Sequence, residues 1–412
     1  MSRGLLVLGF LGLSLAGCED APARTPADAG AVEADAGAPA DAGPAADAGP
    51  APDGGAAGGM DAAVRDGGQP MGVGPEPISG QTVTVLPDGR VLITGGQGTT
   101  TSQGETWLLD LNTLTFSPGP ALSPPRRNHS ATLLPNGKVL IAGGVEVVGP
   151  NRTDTETAFL FDPASDTLTP TGSLAEAQCC HFTTVLSTGP HAGKVLIVGG
   201  GQGSSRILEL ELYDPAAEAF SRPGTALPGL RDSAAYVALP DGRVLVAGGS
   251  ARAGGFDQQD TAVTIDPMTL AVEPVASTMS KTRRAMPAFV RGDGTVLIFP
   301  GNNRDGDHAD CEIFDPATDT FSPGPTLPAA RQLYGSVQLE DGRIFLFGGL
   351  IDNSVVDTID VYSGGSVAAF PGQLELALAG VRATRLPDGS VLLMSGQVQT
   401  GFIAGQARIF YP

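Results

Sequence analysis

The side chains most often used for catalysis and metal binding are scarce in this sequence. It holds 4 His, 5 Tyr and 4 Cys in 412 residues. His129 and His181 occupy the same position of a repeated phrase, at the start of a predicted strand, so they should lie on adjacent repeats. Two imidazoles placed in this way could bind a metal ion or a ligand. We favour a structural role, because the equivalent positions of the other repeats supply no third metal ligand.

Arginine also recurs at one position of the repeat. That position is occupied by Arg126, Arg231, Arg283 and Arg331, and Arg127 and Arg284 stand next to two of them. Guanidinium groups gathered on one face would bind the carboxylates of an acidic glycan or peptide. The alternative is that each arginine bonds carbonyls or acids of the neighbouring blade and only staples the ring. The predicted ligand-binding residues are these six arginines with His129 and His181.

A polar segment, 302–310, is a candidate cation site. It contains His308 and three acids, Asp305, Asp307 and Asp310. Carboxylate oxygens bind hard cations, but a solvated loop is the simpler interpretation. We therefore expect no metal ion in this segment. For the chain as a whole we predict no metal, no cofactor and no catalytic residue.

The cysteines leave two pairings open. Cys179 and Cys180 are adjacent, and Cys311 stands alone. One possibility is a vicinal disulfide with Cys311 buried and reduced. The other is three inert buried thiols.

The first 18 residues have the features of an export signal. Arg3 precedes an apolar run, 5–15, which ends in Leu-Ala-Gly-Cys at 15–18. This tetrapeptide resembles the lipobox of bacterial lipoproteins, in which the cysteine is acylated. The resemblance implies lipidation of Cys18 and a protein anchored by lipid in the bacterial cell envelope, on its periplasmic or surface side. The alternative is a secretory signal with an incidental cysteine.

Residues 19–70 have the composition of a tether. The tetrapeptide Ala-Asp-Ala-Gly occurs at 27–30, 34–37, 40–43 and 46–49. Such a segment has too few large apolar residues to offset the chain entropy lost on folding, so we expect disorder.

Composition and a long repeat indicate the fold of the remainder. The chain has 58 Gly, 34 Pro, 17% charged residues and a formal charge of −20. The Gly and Pro content is typical of a turn-rich all-β protein, and the acidity argues against nucleic acid as a partner. A phrase such as Leu-Pro-Asp-Gly-Arg-Val-Leu-Ile-Thr-Gly-Gly occurs at 86–96, 134–144, 192–200, 239–249, 292–301, 339–349 and 386–396. Seven copies at intervals of about 50 residues predict seven blades of a β-propeller.

Each part of the phrase has a structural interpretation. Pro-Asp-Gly is a hairpin turn, and Val-Leu-Ile is a strand buried on both faces. The Gly pair permits positive φ and close approach between blades. A second phrase around Asp-Pro, as at 162–163, starts the turn before an outer strand. We therefore predict four strands, a to d, in each repeat.

The residues from 126 to 144 resemble the kelch family, in the variant found in the propeller domain of galactose oxidase. They read RRNHSATLLPNGKVLIAGG. The resemblance covers about 71–412 and implies a seven-bladed propeller. It also implies an alternative function, a copper oxidase or sugar-modifying enzyme with a site at the channel mouth. Galactose oxidase needs a Cys–Tyr crosslink, two Tyr and two His on copper and a further C-terminal domain, none of which we recognise here.

These observations give a three-part chain. Residues 1–18 form the lipoprotein signal peptide, 19–70 the linker and 71–412 the propeller. We expect strands at 383–386, 391–395 and 407–411 in the last repeat, and the segment 71–75 to complete that blade. The function we predict is a non-catalytic binding module for protein or acidic glycan, held on the membrane only by its lipid anchor.

Overall fold

The architecture is a seven-bladed β-propeller. The computed structural model describes residues 79–98, 101–202, 205–251, 257–394, 396–398, 401–402 and 407–412. Within these residues every regular element is a strand. No helix in the described part of the chain is long and apolar enough to cross a membrane.

The strands follow the chain blade by blade. Blade 1 contains β1 (Thr82–Val85), β2 (Val91–Thr94), β3 (Thr106–Asp110) and β4 (Thr115–Pro118). Blade 2 contains β5 (Ser130–Leu133), β6 (Val139–Ala142), β7 (Val145–Val148), β8 (Asn151–Asp154), β9 (Ala158–Asp162) and β10 (Thr167–Pro170). Blade 3 contains β11 (Phe182–Val185), β12 (Val195–Val198), β13 (Gly201–Gln202), β14 (Ser205–Arg206), β15 (Glu211–Asp214) and β16 (Ala219–Ser221). Blade 4 contains β17 (Ala235–Ala238), β18 (Val244–Ala247), β19 (Ala262–Ile265) and β20 (Val272–Pro274).

The last three blades continue the pattern. Blade 5 contains β21 (Ala288–Val290), β22 (Val296–Ile298), β23 (Asn302–Asn303), β24 (Gly306–Asp307), β25 (Asp310–Asp315) and β26 (Thr320–Thr326). Blade 6 contains β27 (Gly335–Gln338), β28 (Ile344–Phe347), β29 (Leu350–Ile351), β30 (Ser354–Val355), β31 (Thr358–Ser363) and β32 (Ser366–Gln373). Blade 7 contains β33 (Arg382–Arg385), β34 (Val391–Met394), β35 (Gln397–Val398), β36 (Gly401–Phe402) and β37 (Arg408–Phe410).

Each blade is an antiparallel sheet in the order a, b, c, d, as the sequence predicts. The sheet of blade 7 has three strands within the described residues, β33, β34 and β37. In five blades the b–c connection forms a further two-stranded hairpin, such as β7–β8 and β23–β24, where the sequence predicted only a loop. Strands a of neighbouring blades, such as β1 and β5, contact each other, so strand a is the innermost strand and borders the central channel.

The apolar core lies between the blades and closes the ring. Strand b is buried along its whole length in every blade. Leu92 of blade 1 packs with Ile141 of blade 2, and Val91 of blade 1 packs with Leu392 of blade 7. Each fully buried Leu or Ile contributes about 1.5–3 kcal/mol. Because blade 7 packs on blade 1, the same kind of interface continues around the whole circle.

The Pro-Asp-Gly turn and the Gly pair form as predicted. Gly89 has φ 86°, and its N–H donates to the Leu86 carbonyl at 3.0 Å. Gly143, the first residue of a Gly pair, has φ 62°. A Cβ atom on Gly143 would lie 2.5 Å from the carbonyl oxygen of Gln178, in the next blade. Glycine is therefore required there for both conformation and space.

Backbone hydrogen bonds join several neighbouring blades at the mouth, the end of the channel where each strand a begins. The residue two positions before strand a, or three positions before it in blade 5, has positive φ in all seven blades: Gly80, Asn128, Cys180, Ser233, Ala285, Leu333 and Gly380. At four of the seven junctions the N–H of this residue donates to the carbonyl of its counterpart in the preceding blade: Asn128 to Gly80 at 2.7 Å, Cys180 to Asn128 at 2.9 Å, Ala285 to Ser233 at 2.8 Å and Gly380 to Leu333 at 2.6 Å. We call these seven residues the mouth ring. The left-handed conformation costs non-glycine residues energy, which the ring contacts offset.

Closure of the last blade leads to a testable prediction. The segment 71–75, expected to supply its strand d, lies outside the described residues. A chain that begins at Gln81 should melt at a clearly lower temperature than one that begins at Gln69, because it would leave β37 as an unprotected edge. A chain that begins at Glu19 serves as the control and should match the Gln69 chain. Equal melting temperatures for all three would contradict the closure proposal.

Candidate functional site

The two predicted histidines lie at the mouth, and both bond the preceding blade. His129 Nε2 lies 2.7 Å from the Thr94 hydroxyl and 3.2 Å from the Thr82 hydroxyl. His181 Nε2 lies 2.9 Å from the Ser130 hydroxyl. Both rings are buried. The structure therefore places the two histidines on adjacent blades, as predicted, and gives each a contact between blades.

Burial keeps both imidazoles neutral. It lowers the pKa of His181 from 6.5 to about 4. It also lowers the pKa of His129 well below 6.5, with a smaller contribution from the charge of Arg126. A neutral imidazole can donate a hydrogen bond to a hydroxyl or accept one from it, without the cost of a buried charge.

This burial predicts acid sensitivity of the fold. The pKa of His181 is lower in the folded than in the unfolded state, so its contribution to stability is lost as the pH falls from about 6.5 toward 4. The loss should reach about 3 kcal/mol near pH 4. The variant His181→Gln should be less stable than the wild type at pH 7, and the gap should narrow or reverse at pH 4. Denaturant unfolding at several pH values measures this, and a constant gap would contradict the prediction.

Two of the four repeated arginines bond only their own blade. The Nη1 atom of Arg126 donates to the Gly143 carbonyl at 2.9 Å and to the Thr157 carbonyl at 3.0 Å. Arg231 makes the equivalent bonds to the carbonyls of Gly248 and Thr261 at 3.0 and 2.7 Å. Both side chains are buried. Each guanidinium group thus joins the end of strand b to the start of strand c.

The other two repeated arginines pair with buried acids. Arg283 is fully buried and lies 3.1 Å from a carboxylate oxygen of Glu312. Arg331 lies 2.7 Å from a carboxylate oxygen of Asp360, with both side chains 2% exposed. Burial raises the pKa of Asp360, and the charge of Arg331 opposes that shift. All four arginines are therefore bonded within the fold, but to partners in their own blade and not in the neighbouring blade that the stapling alternative predicted. Ligand binding by them stays a prediction.

The arginine partners occupy one position of strand c that sequence reasoning missed. Glu312 and Asp360 stand at this position, and in blade 2 it holds Phe159, whose ring lies 5.1 Å from the Arg126 guanidinium carbon. In the sequence this position is the third residue before the Asp of the second phrase. In blade 6, where Ser363 stands in place of that Asp, it is the third residue before Ser363. An acid or an aromatic ring there offers a partner to an arginine.

Arg127 and Arg284 are placed differently from the four buried arginines. Both precede the mouth ring, and both are partly exposed. The backbone of Arg127 bridges to Val145, and that of Arg284 bridges to Asn302, so each residue is fixed beside a b–c connection. Nε of Arg284 also donates to the Asn302 amide oxygen at 3.1 Å. The structure thus brings these two predicted residues to the mouth face.

The segment 302–310 forms a hairpin whose acids are separated. Asp310 pairs with Lys281 at 2.6 Å and with Arg283 at 2.8 Å. Lys281 and Arg283 lower the pKa of Asp310 to about 2, against the opposing effect of burial. Asp307 lies in β24 and its pKa is raised, chiefly by burial. Within the described ranges no three His, Cys, Asp or Glu side chains are grouped as metal ligands.

The adjacent cysteines lie on the mouth face. Cys179 and Cys311 are buried thiols, so Cys179 and Cys180 do not form a vicinal disulfide. The sulfur atoms of Cys179 and Cys180 are 2.9 Å apart, and Arg152 donates to the sulfur of Cys179 at 3.0 Å. This contact ties the b–c hairpin of blade 2 to the start of blade 3.

The two mouth histidines and two of the tyrosines are bonded within the fold. Both mouth imidazoles use Nε2 on hydroxyls of the preceding blade. Tyr334, which takes the same repeat position in blade 6, donates its hydroxyl to the Pro300 carbonyl at 2.7 Å. Tyr236 is buried and donates to the Arg231 carbonyl at 3.1 Å. These side chains are directed into the fold.

Comparison with known proteins agrees with the fold. No protein-family model matches the chain. A galactose oxidase of Gibberella zeae is 27% identical over 178 residues, which cover 40% of this chain and 25% of that protein. A second galactose oxidase of Gibberella zeae gives the same values. The match spans about a quarter of the length of these relatives. The chain is thus a β-propeller with partial similarity to galactose oxidase.

Proposed function

We propose that the protein is a membrane-anchored, extracytoplasmic binding module whose mouth face takes a protein or acidic glycan ligand. The proposal rests on the residue that precedes each mouth-ring residue. Its backbone contact is the same from blade to blade, whereas its side chain differs. In six blades this residue makes the same backbone bridge to the b–c connection. The seven side chains nevertheless differ in character: Ser79, Arg127, Cys179, Asp232, Arg284, Gln332 and Ala379. A rigid frame that carries varied side chains is typical of recognition surfaces.

The charges of the mouth face support an anionic ligand. The four repeated arginines and both histidines are engaged within the propeller, as described above. Arg127 and Arg284 of the predicted ligand-binding set lie at the mouth face and are partly exposed. Guanidinium groups bind carboxylates in a bidentate geometry, which favours an acidic glycan or peptide.

Binding of purified propeller to arrays of acidic and neutral glycans and of acidic peptides tests the proposal. The variants Arg127→Ala and Arg284→Ala should weaken binding of an acidic hit by at least about tenfold, the equivalent of about 1.4 kcal/mol. Arg291→Ala is the matched control, because Arg291 pairs with Asp293 in the a–b turn of blade 5, away from the mouth. Loss of binding in all three variants, or in none, would contradict the proposal.

The anchor rests on the lipobox resemblance and has its own test. The variant Cys18→Ala should move the protein from the membrane fraction to the soluble fraction, because acyl chains would supply its apolar anchor. Fractionation followed by a high-salt wash measures this. A variant that stays in the washed membranes would contradict lipid anchoring at Cys18.

The similarity to galactose oxidase supports a second candidate function, that of a copper-dependent oxidase or another sugar-modifying enzyme. Metal analysis of purified protein, with oxygen uptake on a panel of sugars, distinguishes the two. One copper per chain together with oxygen uptake would favour the enzyme. Copper far below one per chain would favour the binding module.

A further inference from the structure

The innermost strands of this acidic protein contain no acid. Strand a reads TVTV, SATL, FTTV, AYVA, AFV, GSVQ and RATR in blades 1 to 7. The chain has 44 Asp and Glu residues, yet these strands hold only hydroxyl-bearing, apolar and amide side chains and two arginines. The channel wall is therefore hydroxyl-rich, and its charged strand residues are positive.

Arg382, the first residue of β33, has unused hydrogen-bonding capacity. Its side chain is partly accessible, and its guanidinium group makes no hydrogen bond or ion pair with any residue of the described part. Arg385, on the same strand, pairs with Glu340 at 3.0 Å. A guanidinium group has five N–H donors, so an arginine without protein partners leaves all of them for solvent or a ligand.

The charge of Arg382 is felt at His129. It belongs to blade 7, yet it contributes to lowering the pKa of His129 in blade 2, after burial and Arg126. Both groups lie at the start of a strand a, in blades that flank blade 1. Burial lowers the pKa of Arg382 to about 10, as expected for a cation held in an enclosed space without a counter-ion.

Two hydroxyl groups on the innermost strands of blades 7 and 1 are also unused. Thr384 lies two residues after Arg382, on the same face of the strand. Thr84 takes the equivalent position in blade 1. Both side chains are partly accessible, and neither donates to or accepts from another residue of the described ranges. By contrast, Thr132 is bonded to Thr183 at 2.7 Å.

We propose that Arg382, with Thr384 and Thr84, binds the carboxylate group and hydroxyls of an acidic sugar in the central channel. The guanidinium group would bind the carboxylate in a bidentate geometry, and the threonine hydroxyls would bond the sugar hydroxyls. The sugar would be the terminal uronic acid of the glycan, so this assignment rests on the proposed function for the rest of the ligand.

The test uses the free monosaccharides glucuronate and glucose with the whole chain, measured by titration calorimetry. The wild type should bind glucuronate and not glucose, more weakly as salt rises. Arg382→Gln should weaken glucuronate binding at least tenfold, Arg382→Lys should bind at an intermediate level, and Arg385→Gln should bind like the wild type. If Arg382→Gln does not fold, the comparison of Arg382→Lys with Arg385→Gln decides the outcome.

Two results would overturn the channel site. One is no glucuronate binding by the wild type, and the other is equal binding by the wild type and the folded Arg382 variants. Glycan-array binding that depends on Arg127 and Arg284 would then leave the proposed mouth-face function standing. If array binding fails but glucuronate binding depends on Arg382, the channel site stands and the mouth-face function fails.

Discussion

The variant Arg331→Ala should lose about 3–5 kcal/mol of its free energy of unfolding at pH 8, because it leaves the buried carboxylate of Asp360 without its counter-charge. The pair is 2.7 Å apart and 2% exposed on both sides, so water cannot replace the arginine. The Gly348 carbonyl also loses its 3.2 Å bond from Arg331. Denaturant unfolding of the purified protein measures the loss.

Protonation should rescue this variant. Without Arg331, the pKa of Asp360 rises further above its unfolded-state value. A carboxyl group with a raised folded-state pKa stabilises the fold as the pH falls, so the deficit of Arg331→Ala should shrink between pH 8 and pH 5. The double variant Arg331→Ala/Asp360→Asn should be more stable than Arg331→Ala at pH 8 for the same reason.

Two other variants sharpen the comparison. Arg343→Ala removes an exposed ion pair of the same blade with Asp341, and should cost about 1 kcal/mol or less. Arg231→Ala should fall between the two, because it leaves carbonyls but no charge unpaired, at about 1–3 kcal/mol for a lost partner. A cost below 1 kcal/mol for both Arg231→Ala and Arg331→Ala would show that these residues are not staples.

The variant Gly143→Ala is expected to cost at least about 3 kcal/mol. Part of this arises from φ of 62°, which an L residue with a Cβ atom adopts at a cost of about 1–2 kcal/mol. The rest arises because the new Cβ atom would lie 2.5 Å from the Gln178 carbonyl oxygen, and backbone must move to make room.

Gly137→Ala is the matched control in the same blade. Gly137 also has positive φ, 84°, but the nearest atom to its new Cβ would be Pro87 Cγ at 3.7 Å, an ordinary contact. It should therefore show only the conformational cost of about 1–2 kcal/mol. Thermal or denaturant unfolding that gives the two variants the same stability would refute close approach as the reason for the Gly pair.

Much of the fold could be predicted because its determinants are local and repeated. The Pro-Asp-Gly turns, the apolar strand b and the Gly pairs lie within about a dozen residues of one another. They predicted the seven blades and their four-stranded pattern. The expected strands of the last repeat, 383–386, 391–395 and 407–411, differ from β33, β34 and β37 only at their ends.

The contents of the site could not be predicted, because they depend on pairs distant in the chain. Arg331 and Asp360 are 29 residues apart, and neither position alone reveals that the other is buried against it. The left-handed conformation of Leu333, φ 53°, runs against its intrinsic preference and is imposed by the neighbouring blades. The unused donors of Arg382 are likewise visible only when every neighbour is in place.

The mouth ring affects which side chains such a protein can exchange as it evolves. Its bonds use main-chain atoms alone, so no bond in it depends on the identity of a side chain. Gly, Asn, Cys, Ser, Ala and Leu all occupy the ring in one molecule. Blades can therefore exchange residues one at a time while the circle stays intact. New ligand preferences can accumulate blade by blade without first passing through an unstable intermediate.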